Sequence, residues 1–117
     1  MSYMFSDLSN LVSLDVSKFS TKNINDMTNM FYSCKKLKEI NITNFDTTEV
    51  TNMKSIFSYC ISVEKLDFSN INTKQVVDMS DLFQYCNSLS ELKLNKFDTN
   101  QVTDMSRMFS SCSSLQI

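Results

Sequence analysis

Four cysteines stand at one spacing, Cys34, Cys60, Cys86 and Cys112, each 26 residues from the next. Evenly spaced thiols invite a metal site or a disulfide. Zinc ligands must converge on one point, whereas residues that recur once per repeat run along a stack. Disulfides need Cα atoms within about 7 Å, and thiols at the ends of neighbouring helices would stand about 8–10 Å apart. Leu8 occupies the same register. The cysteines are therefore read as a buried column that packs as small apolar groups, with no metal and no cofactor assigned.

Catalysis lacks parts. The chain has no His, so a Ser or Cys nucleophile has no usual base. Glu39 and Glu91 would make a carboxylate pair for glycoside hydrolysis, but Lys65 falls between them and no cleft is indicated. The chain has no Gly, which removes the loop that cradles phosphates. Asp46 and Asp98 offer carboxylates to calcium, without the Gly-rich β-helix signature that would organise them. Asn41-Ile42-Thr43 is a formal glycosylation sequon on an expected strand. No catalytic residue is assigned, and the chain is read as a non-enzyme. A net charge of −2 gives no basic footprint for nucleic acid, and no apolar run is long enough for membrane insertion.

Exposed charges remain. One column reads Ser13, Glu39, Lys65, Glu91, the next Asp15, Asn41, Asp67, Lys93, and a third Ser17, Thr43, Ser69, Asn95. Neighbours alternate in sign, Glu39 with Lys65, Lys65 with Glu91, Asp67 with Lys93. Such pairs contribute about 0.2–1 kcal/mol each as a cross-strand ladder. Glu39, Asn41, Lys65, Asp67, Glu91 and Lys93 also form the candidate face for a protein partner. Tyr32, Tyr59 and Tyr85 are a lesser candidate, Tyr being favoured at interfaces.

A 26-residue period without insertion must position these columns: repeats 1–26, 27–52, 53–78 and 79–104, and a partial 105–117. In the second repeat Met27, Met30, Phe31 and Cys34 fall at i, i+3, i+4 and i+7, the spacing of one helix face. Asp26, Asn52, Asp78 and Asp104 precede these stretches as N-caps. Leu14-Asp15-Val16, Ile40-Asn41-Ile42, Leu66-Asp67-Phe68 and Leu92-Lys93-Leu94 alternate as short strands. Strands with a helix between each pair must be parallel. Phe19, Phe45, Ile71 and Phe97 plug the core from the returning loop, and Thr21, Thr47, Thr73 and Thr99 follow, expected to bond the loop backbone in every coil. With no Gly, positive-φ turns should fall to Asn and Asp.

The expected fold is α/β, a leucine-rich-repeat-like solenoid with one short helix and one short parallel strand per repeat. Helices are thicker than strands, so the strand side should be concave. One repeat cannot bury its own apolar side, and stability should come from stacking. Met1 opens directly on Met4 and Phe5, and Ile117 falls at the start of a strand. Both ends should then present apolar surface, as in a fragment of a longer protein or in copies that associate end to end.

The string M-x-x-M-F-x-x-C-x-x-L-x-x-L-x-L, with Phe45-Asp46-Thr47 and Val50-Thr51-Asn52-Met53 closing the unit, resembles the leucine-rich repeats of BspA-type bacterial surface proteins. Residues 27–112 carry the likeness best; Leu8 for Cys and Ile71-Asn72 for Phe-Asp depart from it. The resemblance implies a cell-surface or secreted array, used in adhesion to host proteins or other cells, and brings no catalytic residues. The expected function is a non-enzymatic protein-protein interaction module with its partner along the concave strand face. The alternative is a structural spacer or self-associating array without a specific ligand.

Overall fold

The computed structural model describes residues 1–116; the strand start expected at Ile117 lies outside them. Each 26-residue coil lies on the next in parallel register. Strand β1 (Ser13–Leu14) pairs with β2 (Glu39–Ile40), and β3 (Lys65–Asp67) with β4 (Glu91–Lys93). A second line of parallel bridges joins Asp26 to Asn52, Asn52 to Asp78 and Asp78 to Asp104. Alternation sets the strand faces: Leu66 is buried while Lys65 before it is exposed. The strand ladder is interrupted once. Between β2 and β3 the contact thins to the Glu64 N–H donating to the Lys38 carbonyl at 3.3 Å.

The expected helices are absent. No helix occurs among the described residues, and the α/β assignment gives way to a coil of short strands and turns. From Met27 to Cys34 the backbone instead forms a ribbon of overlapping turns. The N–H groups of Met30, Tyr32 and Cys34 donate three residues back, to the carbonyls of Met27, Asn29 and Phe31. Those of Met27, Asn29, Phe31 and Ser33 donate across to the next coil, to the carbonyls of Asn52, Lys54, Ile56 and Ser58 at 2.8–3.0 Å. Two left-handed residues in each ribbon make this possible. In the second coil they are Asn29 and Ser33, with φ of 56° and 61°. The same two places hold Ser55 and Tyr59, Asp81 and Tyr85, Arg107 and Ser111, and Tyr3 and Asp7 in the other coils. Ser, Tyr and Arg thus take positive φ beside Asn and Asp, against the expectation from composition.

Stacking explains the choice. Two helical turns are too short to stand alone in water, and helices would force the coils about 8–10 Å apart while their strands pair at about 4.8 Å. The turn ribbon instead bonds laterally as strands do. The helix thickness that predicted a concave strand side is absent. Met27, Met30, Phe31 and Cys34 are nonetheless all buried, because the left-handed residues, four apart, return the chain to the same face.

Asx turns mark the corners. Asp26, Asn52, Asp78 and Asp104 do not cap helices; each accepts through Oδ1 the N–H two residues on, from Thr28, Lys54, Ser80 and Ser106 at 2.8–3.0 Å. Asp15, Asn41 and Asp67 do the same after the strands, and Asp46, Asn72 and Asp98 in the returning loop. Short carbonyl-bearing side chains suit this geometry.

The core is a set of files along the stack. Phe5, Phe31, Phe57, Phe83 and Phe109 lie ring on ring, with centroids 5.5, 5.1, 6.4 and 5.6 Å apart. Phe68 meets Phe57 and Phe83 edge-on from the strand side. Thr21, Thr47 and Thr73 are buried and bond the loop of the next coil.

Candidate interaction face

The strand face carries the charges because alternation turns every second side chain outward. On it Lys65 Nζ stands 3.0 Å from Glu91 Oε2. Lys93 Nζ lies 3.6 Å from Asp67 Oδ2 and 3.9 Å from Glu91 Oε1. Four of the six candidate residues thus form one network across β3 and β4. The Lys65 ammonium, through its hydrogen bond and its charge, holds the Glu91 carboxyl below the usual range. Asp67 is held low first by the Ser69 hydroxyl and backbone N–H, with Lys93 adding to it.

The other two candidates stand apart. Asn41 accepts both the N–H and the hydroxyl of Thr43, at 3.0 and 2.7 Å. The expected Glu39–Lys65 pair is missing among the described ion pairs. Glu39 and Lys65 instead border an open recess of about 510 Å³ with Val12, Ser13, Lys38 and Glu64. It lies where β2 and β3 lose their pairing, so nothing holds these two side chains opposite one another.

The tyrosines stack on the turn side, Tyr59 on Tyr85 at 4.5 Å and Tyr32 edge-on to Tyr59 at 5.6 Å. Tyr59 and Tyr85 thus cover one face of each other, and Tyr32 and Tyr59 are only half-exposed. Beside them Arg107 Nε and Nη2 donate to Asp81 Oδ1 and Oδ2 at 2.7 and 3.0 Å. Sequence reasoning missed this fork. Both residues hold the same left-handed place in adjacent coils, and the single Arg of the chain one period after an Asp was the available signal.

The cysteines are free. Their coils stack closer than helices would, so helix spacing is not what keeps them reduced. Each Sγ donates to the carbonyl of the Phe in the preceding coil, Cys34 to Phe5, Cys60 to Phe31, Cys86 to Phe57 and Cys112 to Phe83, at 3.0–3.2 Å. Among the described residues no cluster of three or more His, Cys, Asp or Glu could hold a metal.

Burial pushes the Cys60 and Cys86 thiols upward, with neighbouring cysteines adding to it. In the unfolded chain they ionise at about pH 8.5. Their raised folded values make this stabilisation fully present below that pH and lost as pH rises toward the folded values. The expected decline is about 1.4 kcal/mol per pH unit for each thiol. Urea unfolding from pH 7 to 10 should show it, and the double variant Cys60→Ser/Cys86→Ser should remove roughly 2.7 kcal/mol per unit of slope. An unchanged slope would contradict the buried neutral thiols.

Comparison with solved structures places the fold. A leucine-rich cell surface protein of Faecalibacterium prausnitzii superposes with a TM-score of 0.61 at 19% identity, over 98% of this chain and 34% of that one. The chain therefore spans about a third of that protein's length. The leucine-rich repeat protein of T. pallidum matches with a TM-score of 0.41 and 14% identity, over 99% of this chain and 71% of that one. No curated protein matches. A family model runs through the coils from one end to the other, and over residues 1–117 the chain belongs to the family described as Mycoplasma protein of unknown function, DUF285.

Proposed function

We propose that the chain is a non-enzymatic protein-binding module of a cell-surface array, of the BspA-type adhesive kind, with its partner on the strand face. One observation carries this reading. Lys65, Glu91, Lys93 and Asp67 form a charge network whose side chains are 42–70% exposed, on strands held in register by backbone pairing. Exposed pairs of this kind add little stability, while a rigid pattern of alternating charge steers and registers a partner. The surface setting is supported by the fold shared with the Faecalibacterium prausnitzii surface protein and by the repeat string itself.

The test is binding of the immobilised chain to a panel of extracellular and cell-surface proteins. Lys65→Glu/Lys93→Glu should weaken any captured partner at least tenfold and flatten its salt dependence. Lys35→Glu/Lys36→Glu, exposed elsewhere on the coil, should leave affinity within twofold. Equal binding by all three proteins would move the site off the strand face.

A further inference from the structure

We propose that Tyr59 and Tyr85 are an oxidative cross-linking site, at which a haem peroxidase with hydrogen peroxide joins the two rings as dityrosine and ties the third coil to the fourth. This inference does not use the strand-face reading. The two residues hold the same left-handed place in adjacent coils, with φ of 63° and 59°. Backbone pairing fixes them there. The Tyr59 N–H donates to the Gln84 carbonyl and the Tyr85 N–H to the Ser110 carbonyl, both at 2.8 Å. Their rings stack at 4.5 Å with planes 24° apart. The stacked phenylalanines of the core stand farther apart, at 5.1–6.4 Å. Chain flanks the pair on both sides, with Ser33 in the same place one coil before and Ser111 one coil after.

Serine in that place shows that the backbone does not demand a ring there. Tyr85 is 36% exposed and Tyr59 half-buried, so an oxidant reaches the ring edges while the stack holds the rings together. Burial, then the neighbouring Tyr85 and Tyr32 phenols, push the Tyr59 phenol up, which marks the phenol ends as near neighbours. A phenoxyl radical carries much of its spin on the carbons ortho to its oxygen, and two radicals held in contact couple there. Each phenol gives up one electron and its hydroxyl proton. A carbon–carbon bond forms between two ortho carbons, and the two ortho hydrogens move to the oxygens to restore both phenols. The two electrons and two protons reduce one hydrogen peroxide to two waters. Tyr32 meets Tyr59 edge-on, at 5.6 Å and 64°, a contact that aligns fewer ortho carbons than the stack. The new bond closes a loop of one coil and restricts the unfolded chain as a disulfide does.

Oxidation of the whole chain at low micromolar concentration, with a haem peroxidase and hydrogen peroxide, tests this. Dityrosine fluorescence should appear in the monomer band of a denaturing gel. Tryptic digestion should yield peptides 55–65 and 75–93 joined with the loss of two hydrogens. Tyr59→Phe or Tyr85→Phe should lower that product at least tenfold, and phenylalanine keeps the ring and the stack. Tyr32→Phe and Tyr3→Phe should leave it within twofold. Tyr3 is the discriminating control, because at 59% exposure it is the more accessible ring and has no stacked partner among the described aromatic contacts. Exposure alone would therefore favour links to Tyr3. A folded wild type that gives no 55–65 to 75–93 link would overturn the inference. So would equal amounts of links among all four tyrosines, or links found solely between molecules.

Discussion

Phe57→Ala should destabilise the chain by about 3–5 kcal/mol, the range for emptying an aromatic site in a close-packed core. Phe57 is buried, with Phe31 at 5.1 Å on one face, Phe83 at 6.4 Å on the other and Phe68 edge-on at 5.9 Å. All three rings would border the cavity, and backbone bonds on both sides prevent the coils from closing over it. Phe109→Ala is the internal comparison. Phe109 is 42% exposed and touches Phe83 alone of the file, at 5.6 Å. Its truncation should cost less than about 1.5 kcal/mol, since 42% of its surface is already in contact with water and only the remainder is lost from the core. Urea unfolding of both variants measures the ratio. Where Phe57→Ala leaves too little folded protein, Phe57→Leu should cost less than Phe57→Ala and still more than Phe109→Ala. Equal losses at 57 and 109 would mean that the rings are not a continuous file.

Thr47→Val should cost about 2–4 kcal/mol, from two part-buried backbone groups orphaned at about 1–2 kcal/mol each. The Thr47 hydroxyl donates to the Asn72 carbonyl at 2.9 Å and accepts the Asn72 N–H at 2.8 Å. One hydroxyl thus satisfies both backbone groups of a residue one coil on, and Thr47 is itself buried. Valine keeps the shape and removes both bonds. Thr21 and Thr73 serve Asp46 and Asp98 in the same way. Thr99 is exposed in the last full coil, so Thr99→Val should change stability by less than about 0.5 kcal/mol. Thr47→Ser should recover most of the loss, which separates the hydrogen bonds from the volume.

These positions show what the sequence could convey. The Thr column, the Phe file and the inward Leu66 were legible because a 26-residue period turns any residue needed once per coil into a visible column. The helix was misread for a physical reason. Met27, Met30, Phe31 and Cys34 keep helical spacing, yet left-handed residues at 29 and 33 produce the same one-sided burial in a flatter ribbon. The distinguishing signal was negative: Tyr3, Asn29, Ser55, Asp81 and Arg107, and their partners four residues on, include no Val, Ile or Thr, the residues least tolerant of positive φ. A local periodicity cannot show where a backbone N–H finds its acceptor, and here alternate ones lie a whole coil away.

The charge columns were legible in part for a related reason. Lys65 and Glu91 meet because β3 and β4 are paired residue by residue. Glu39 and Lys65 share that column but straddle the interrupted pairing between β2 and β3. The interruption depends on backbone geometry that the identities of residues 39 and 65 do not report.

The core and the ladders both depend on the ribbon of left-handed turns, and paired substitutions at Ser33 and Ser55 test it most directly. Both residues are buried, with φ of 61° and 54°. In the left-handed region Gly is favoured over Ala by about 1–2 kcal/mol, whereas inside a helix Ala is favoured over Gly by about 1 kcal/mol. Urea unfolding should therefore rank Ser33→Gly/Ser55→Gly above Ser33→Ala/Ser55→Ala by about 2 kcal/mol or more. The opposite order, with the alanine pair more stable, would show that these stretches are helices and would contradict the account.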